Sequence, residues 1–288
     1  MVVAFDAVPE AISSRQPGQF ILNVCLTGMV GRKSHNPNLP ETVEEILRDA
    51  AAAIELGAAM LHVHARDAAG EPEWRPEAYQ PIVRGIRALS AEVIVCVSTS
   101  GRRVTDIDRR TACLDIDPRP DMASLTLGPV NFLREGVVNS PATVRELAER
   151  MRARGVLPEL EIFDIGMARA AARLIAEGVV ARPGYANILL GNVGTASLAP
   201  ADLAAILAHL PEGIVRSVAG IGGDQLKANL LGLIHGDGVR VGLEDNLYLD
   251  AAKTPATNAQ LVERVVRIAR ELGLRPATPG EVRRRLGI

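Results

Sequence analysis

The sequence is poor in aromatic residues and in unbalanced charge. Phe, Trp and Tyr make up only 3% of the 288 residues, so aliphatic side chains must fill the core of a chain that is 48% hydrophobic. That composition is typical of helices packed on a buried parallel sheet. The net charge is −2 at pH 7, and the lysines and arginines are scattered. These features exclude the concentrated basic surface that binds nucleic acid or acidic membranes.

Paired cysteines and long hydrophobic runs are also missing. The cysteines at positions 25, 96 and 113 form no CxxC pair, which predicts free buried thiols in a reducing compartment. No stretch approaches the roughly 18–20 apolar residues that cross a bilayer. The first residues, MVVAFDAVPEA, lack the basic segment and apolar core of a signal peptide. We therefore expect a cytoplasmic protein with no membrane or nucleic-acid partner.

From residue 20 onward, short aliphatic runs alternate with longer segments that have apolar residues at helical spacing. The runs predict strands at 20–27, 60–66, 93–99, 122–127, 159–163, 186–190, 213–219 and 239–243. The longer segments predict helices at 42–56, 76–89, 105–114, 141–154, 167–177, 200–210, 224–235 and 258–272.

Repeated strand–helix units in a chain of this length predict one α/β domain, a (β/α)8 TIM barrel that spans residues 1–288. Residues 1–19 are expected to form a short N-terminal arm. Residues 279–288 are expected to form a C-terminal tail that could pack on a neighbour. An open doubly wound sheet is the alternative, but no glycine-rich dinucleotide fingerprint follows the first strand.

The second predicted strand carries two histidines, in the run MLHVHARD. Since His62 and His64 are two residues apart, a strand would place both on one face, where they could bind one metal ion. Barrel active sites lie at the carboxyl ends of the strands, where this pair is expected. Two core or surface histidines without a ligand are the alternative. Glu244, at the end of the run VRVGLED, would complete a His2Glu set, a pattern of catalytic zinc sites.

Other polar residues are predicted at the same edge of the barrel. Arg240 would lie inside the eighth strand, where its guanidinium needs a substrate carboxylate or an active-site acid as partner. The third strand ends in STSGR, where Ser98 would face inward and Gly101 would allow close approach of a ligand. A surface turn is the alternative. The run GIGGD at 220–224 precedes a helix and could bind phosphate, although a tight turn explains it equally well.

Six motifs of the chain are similar to those of the β-keto acid cleavage enzymes, and they occur in the same order. They are TGxxxxxxxNPxxP at 27–40, HVHARD at 62–67, STSG at 98–101, PDMASL at 120–125, SVAGIG at 217–222 and VRVGLED at 239–245. The resemblance covers residue 20 to about residue 275. It implies a zinc-bound barrel, usually a homotetramer. It also implies a reaction in which a β-keto acid and acetyl-CoA give acetoacetate and a new acyl-CoA, by enolate formation and retro-Claisen cleavage.

The resemblance also implies the catalytic roles of individual residues. His62, His64 and Glu244 match the ligands of one Zn2+ per chain. Asp245 matches the residue that removes the proton from the α-carbon of the keto acid, and Arg240 matches the arginine that supports it. Zinc polarisation of the keto group followed by proton removal agrees with the chemistry that these residue types can perform.

The resemblance implies less about the substrate. Positions that hold its carboxylate and keto group are matched by Ser98, Gly101 and Ser124. The family member that acts on an amino keto acid has a glutamate just after the first TG, whereas residues 29–33 here contain no acid. Val30 is expected to contact the distal end of the substrate. We expect a neutral or a dicarboxylic keto acid, the second only if Arg32 and Lys33 turn inward.

Two other classes of function compete with this one. A zinc hydrolase, or an aldolase-type lyase, could act on a small carboxylated substrate. The hydrolase would need a further His or Asp ligand, and the remaining histidines, at 35, 209 and 235, are predicted in a loop and in helices. A barrel that only binds metabolites is the third possibility, and the intact set of candidate ligands argues against it.

Overall fold

Eight parallel strands form a closed barrel in the computed structural model, which describes residues 17–133 and 135–288. The strands are β1 Gln19–Cys25, β2 Met60–Val63, β3 Ile94–Val97, β4 Met122–Thr126, β5 Leu157–Ile162, β6 Tyr185–Leu190, β7 Val215–Gly220 and β8 Gly238–Val241. Each strand pairs with the next in chain order, and β8 pairs with β1 with Gly238 opposite Ile21. The predicted (β/α)8 barrel is confirmed.

A helix follows each barrel strand. These helices are α1 Val43–Glu55, α2 Pro76–Leu89, α3 Ile107–Thr111, α4 Pro141–Ala153, α5 Ile165–Ala176, α6 Pro200–His209, α7 Gln225–His235 and α8 Asn258–Glu271. A further helix, α9 Pro279–Leu286, ends the chain. No helix within the described ranges is long and apolar enough to cross a membrane.

Local sequence signals set where several helices begin. The Thr42 hydroxyl accepts from the Glu45 backbone N–H, and the Glu45 carboxylate accepts in return from the Thr42 N–H, which forms a capping box at α1. Thr257 and Gln260 form the same motif at α8. Helices α2, α4 and α6 each have proline in the first turn, where a missing N–H leaves no helical bond unmade.

An apolar layer closes the amino end of the barrel and forms its floor. Inward-facing side chains at the start of the strands form one buried cluster with two residues of α9: Ile21, Met60, Ile94, Met122, Leu157, Tyr185, Val215, Val282 and Leu286. This layer fills the half of the barrel opposite the carboxyl ends of the strands, so the carboxyl ends remain open for polar groups.

Helix α9 is fastened to this floor by ion pairs. Arg283 Nη2 lies 2.8 Å from Asp121 Oδ1, and Arg285 pairs with the buried carboxylate of Asp237. Residues 279–286 of the predicted tail therefore form a helix that packs on the barrel of their own chain. Of the predicted N-terminal arm, residues 1–16 lie outside the described residues, and β1 already begins at Gln19.

Candidate active site

A cavity of about 620 Å³ opens at the carboxyl ends of the barrel strands. All but one of the predicted site residues line it, namely Val30, His62, His64, Ser98, Ser124, Arg240, Glu244 and Asp245. The exception is Gly101, which lies in the turn after β3, beside the guanidinium of Arg110. The barrel therefore brings together residues that are up to about 215 positions apart in the sequence.

His62, His64 and Glu244 present their ligand atoms to one point of this cavity. The two Nε2 atoms lie 3.2 Å apart, and His64 Nε2 lies 3.1 Å from Glu244 Oε1. Glu244 Oε2 is buried without a hydrogen-bond partner, which leaves a lone pair free for a cation. Two imidazoles and one carboxylate within 4.8 Å of one another suit a divalent ion such as Zn2+. The residues present therefore fit the metal that the sequence implies.

Glycines on two neighbouring loops fix the position of Glu244. At Gly242, where φ is 150°, a Cβ atom would overlap the carbonyl oxygen of Cys25. At Gly28, where φ is 63°, a Cβ atom would lie 2.6 Å from Glu244 Cγ. Because neither glycine carries a side chain, the segment after β8 can pack against the end of β1, and Glu244 then points toward the histidines.

A second acid, Glu159 on β5, holds His62 from inside the barrel. Its Oε2 atom lies 2.7 Å from His62 Nδ1, and the residue is fully buried. Burial alone would raise the pKa of Glu159, but His62 and Arg240 lower it to about 2, so the carboxylate stays charged. This contact makes Nδ1 the donor and leaves Nε2 to bind a metal, as in carboxylate–histidine–metal triads.

The two imidazoles have different electrostatic surroundings. Burial lowers the pKa of both, but the carboxylates of Glu244 and Glu159 raise the pKa of His62 above its usual value. The pKa of His64 stays below its usual value because burial outweighs the effect of Glu244. Burial of His64 therefore favours the neutral imidazole that metal binding requires.

Arg240 and Asp245 form a buried pair beside the candidate ligands. Arg240 Nε lies 2.9 Å from Asp245 Oδ2, and its Nη2 lies 2.7 Å from Glu244 Oε1. The anionic partners that a buried arginine requires are thus acids of the site itself. Burial raises the pKa of Asp245, and the charge of Glu244 raises it further against the opposing effect of Arg240. A carboxylate with a raised pKa is the stronger base.

Glu159 and its neighbour Glu161, which also lines the cavity, are site residues that were not predicted from the sequence. Glu161 Oε1 lies 3.3 Å from Arg240 Nη1, and its Oε2 accepts from the Thr126 hydroxyl at 2.6 Å. Both acids lie on β5, in the run LPELEI. Because they are two residues apart in an apolar strand, the reasoning that located the histidine pair on one face applies to them as well.

The loop after β1 carries the residues that were expected to contact the distal end of the substrate, and only some of them face the cavity. Val30 lines the cavity and is 46% exposed. Arg32 instead pairs with Glu71, and Lys33 pairs with Glu45, and neither side chain lines the cavity. The cations that a dicarboxylic substrate would need from this loop therefore point away from the site.

Strand alternation along MLHVHARD also predicts that Arg66 faces inward with His62 and His64, and that prediction is wrong. Strand β2 ends at Val63, and residues 65–66 leave the barrel to pair with residues 72–73 in a small antiparallel ladder. The Arg66 guanidinium donates to the backbone carbonyls of Gly28, Gly31 and Gly70 at 2.8–2.9 Å. Arg66 therefore shapes the first loop and has no direct contact with the cavity.

The other histidines supply no further ligand. Among residues 17–133 and 135–288, potential metal ligands group in only two sets, and both include His62. The second set consists of His62, Cys96 and Glu159, deeper in the barrel. His35 lies at the cavity wall but in neither set, and His209 and His235 lie on α6 and α7. Neither set contains the further His or Asp ligand that the hydrolase alternative needs.

Comparisons with known proteins give one consistent result. The profile of a family described as beta-keto acid cleavage enzyme matches residues 19–288. A 3-keto-5-aminohexanoate cleavage enzyme of Fusobacterium nucleatum is 37% identical over 272 residues, which cover 94% of this chain and 98% of the relative. A 3-oxoadipate:acetyl-CoA acetyltransferase of Cupriavidus necator is 34% identical over 272 residues, which cover 93% of this chain and 94% of the relative.

A solved structure shares the barrel. The ternary complex of ObcA with a C4-CoA adduct and oxalate superimposes with a TM-score of 0.74 over 88% of this chain and 68% of that chain. The two sequences are 22% identical, so this likeness concerns the fold alone.

Proposed function

Since this chain belongs to the β-keto acid cleavage enzyme family, we propose that it is a zinc-dependent transferase that uses acetyl-CoA as co-substrate. A carbanion formed at the α-carbon of a β-keto acid attacks the acetyl thioester, and coenzyme A moves to the original keto carbon. Retro-Claisen cleavage then gives acetoacetate and a new acyl-CoA. The observation that carries the proposal is a His2Glu set and a buried Asp–Arg pair on the wall of one cavity. The acetyl-CoA in the name of one relative supports the co-substrate.

Each residue of the site has a defined part in this reaction. His62, His64 and Glu244 would hold one Zn2+ per chain, which supplies a Lewis acid that polarises the keto group. Asp245 lies at the cavity wall and would accept the α-proton. Arg240 holds the Asp245 carboxylate through Nε, and its bond to Glu244 joins the base and the ligand set in one rigid network.

We propose that the substrate is a β-keto acid with a neutral side chain. Much of the cavity wall is apolar, with Met29, Val30, Phe132, Phe163 and Leu247 among the lining residues. The acids at the wall already contact Arg240, so a substrate ammonium would find no free carboxylate among them. Burying an unpaired charge is costly, which disfavours an amino keto acid.

The test is coenzyme A release from acetyl-CoA with 3-oxopentanoate, 3-oxoadipate and 3-keto-5-aminohexanoate, alongside the metal content of the enzyme. We expect 3-oxopentanoate to give the highest kcat/KM by at least about tenfold, a difference of about 1.4 kcal/mol. A carboxylate introduced by Val30→Glu should shift the preference toward the amino substrate, whereas the similarly sized Val30→Gln should not. Full metal content without turnover of any keto acid would contradict the proposed reaction, and preferred turnover of the amino compound would contradict the neutral substrate.

A homotetramer and a cytoplasmic location complete the proposal. The family resemblance supports the homotetramer, and the composition supports the cytoplasmic location. Light scattering coupled to gel filtration measures the oligomeric state directly.

A further inference from the structure

Three serine hydroxyls line one part of the cavity, on the turn after β3 and on β4. Ser98 Oγ accepts from the Ser100 backbone N–H at 3.2 Å, and Ser100 Oγ accepts from the Arg102 N–H at 3.3 Å. Ser124 Oγ accepts from the Thr99 N–H at 3.2 Å. A hydroxyl that accepts in this way keeps its own proton to donate. The three side chains therefore offer donors to an anionic group in the cavity.

The backbone of this turn is anchored from its other side. Three successive carbonyl oxygens, those of residues 98–100, accept from the Tyr79 hydroxyl at 3.3 Å, from Arg110 Nε at 2.9 Å and from Trp74 Nε1 at 3.2 Å. Because Tyr79, Arg110 and Trp74 bind these carbonyl oxygens from outside the cavity, the oxygens are paired and do not repel an anion there.

Arg110 differs from the other buried arginine of the site. It is 2% exposed, and its Nη1 atom donates to Asn139 Oδ1 at 3.0 Å. No carboxylate in the described part of the chain forms an ion pair with it, whereas Arg240 contacts several. Burial lowers the pKa of Arg110 to about 10, still far above neutrality, so the guanidinium carries its charge. An uncompensated buried charge is costly, and a charged ligand nearby offsets that cost.

The guanidinium lies directly against the serine-bearing turn. A Cβ atom added to Gly101 would lie 2.7 Å from Arg110 Nη1, so a side chain at this position would displace the guanidinium from the turn. Arg110 itself does not line the cavity. Its charge therefore acts on the cavity through the turn and through a low-dielectric interior, where electrostatic interactions are strong.

We propose that Arg110 is a positioning residue that determines specificity for a substrate carboxylate. Its unneutralised charge makes the turn at residues 98–102 a seat for an anionic head group and disfavours an otherwise similar neutral one. This inference rests on the proposed keto acid substrate but is tested by binding, without turnover. If Arg110 only anchored the turn, a negative charge beside its guanidinium would leave the affinity for a carboxylate unchanged.

The substitution Asn139→Asp tests the charge without removing the arginine. Asn139 is 1% exposed, and aspartate is nearly the same size, so it keeps the acceptor 3.0 Å from Nη1 and adds a neutralising charge. The bond from Arg110 Nε to the Thr99 carbonyl stays in place. Only the long contact from Asn139 Nδ2 to the Gly128 carbonyl, at 3.4 Å, is lost.

The probes are acetoacetate, which carries a carboxylate, and acetoacetamide, its neutral amide of nearly the same size, with dissociation constants measured by calorimetry on the metal-loaded enzyme. We expect Asn139→Asp to weaken acetoacetate binding by about tenfold or more and to change acetoacetamide binding by less than about twofold. Arg109→Met changes the net charge by the same amount, −1, at an exposed neighbour on α3, and it should leave both dissociation constants near those of the wild type. Arg110→Met should also lose the preference for acetoacetate.

Two outcomes would overturn the inference. One is an unchanged acetoacetate constant in Asn139→Asp, and the other is an equal loss of both probes, which indicates a structural role. Binding also separates this inference from the proposed reaction. An enzyme that turns over no keto acid but still loses acetoacetate selectivity in Asn139→Asp would retain the role of Arg110 and refute the reaction.

Discussion

Replacing Asp245 with asparagine separates proton transfer from metal binding. Asparagine keeps the shape and one acceptor oxygen for Arg240, whose Nε lies 2.9 Å from the present carboxylate. Arg240 would still have Glu244 at 2.7 Å and Glu161 at 3.3 Å, so its charge would stay compensated. We therefore expect the free energy of unfolding to fall by about 1.5–3 kcal/mol, the range for a hydrogen bond to a charged group.

Activity should fall far more than stability. A side-chain amide cannot accept a proton at neutral pH, and a positioned general base contributes about 10²–10⁴-fold in rate. That factor corresponds to about 2.7–5.4 kcal/mol of barrier. We expect kcat for coenzyme A release to fall by this factor, while the metal stays bound because Glu244 keeps its carboxylate.

The assay that isolates the step is exchange of the α-protons of the keto acid in deuterated water, followed by NMR without acetyl-CoA. Wild-type enzyme should catalyse exchange, and Asp245→Asn should not. Asp121→Asn is a matched control, since it alters a carboxylate that pairs with Arg87 and Arg283 at the barrel floor. Exchange at the wild-type rate in Asp245→Asn, with metal present, would refute the assignment of the base.

Two further predictions concern the ligands and the C-terminal helix. His62→Ala should abolish both metal retention and turnover, and Glu244→Gln should weaken metal retention. Circular dichroism should show a folded barrel in both variants. Full metal content in His62→Ala, measured by elemental analysis, would exclude His62 from the ligand set. A hydrogen bond from Arg275 and further bonds at the cap of α9 lower the pKa of Glu281 to about 2, so its carboxylate stabilises the fold above the unfolded-state pKa of about 4.3. Glu281→Gln should therefore slightly lower the thermal midpoint at pH 7. The difference in midpoint between this variant and the wild type should shrink as the pH falls from about 5 to about 2. A difference independent of pH would contradict this role.

The elements that could be predicted are those with a strong local pattern. Aliphatic runs located all eight strands of the barrel, because strands buried on both faces carry few polar residues. The alternation of His62 and His64 placed both on one face, and the structure brings their Nε2 atoms within 3.2 Å. Short elements were harder, since α3 has five α-helical residues and a 3-10 turn at 112–114 inside the predicted 105–114.

What escaped prediction depends on contacts that the sequence does not order. Glu159 touches His62 across 97 positions, and nothing local to LPELEI indicates an imidazole partner. Arg110 lies in a short amphipathic stretch of charged residues, where a solvent-exposed side chain is the usual outcome. Its burial follows from the packing of Gly101 and Asn139 around the guanidinium. The roles of Glu159 and Arg110 depend on contacts that form only in the folded barrel.

The catalytic residues and the ion pairs that hold the C-terminal helix lie at opposite ends of the barrel. Helix α9 and its ion pairs to Asp121 and Asp237 close the amino end, while the cavity and its loops occupy the carboxyl end. Substitutions or insertions in the rim loops can therefore accumulate without loosening the closure of the fold. Selection for a new substrate and selection for folding act on largely separate sets of residues. One scaffold can thus diversify across lineages, as relatives named for an amino keto acid and for a dicarboxylic acid have done.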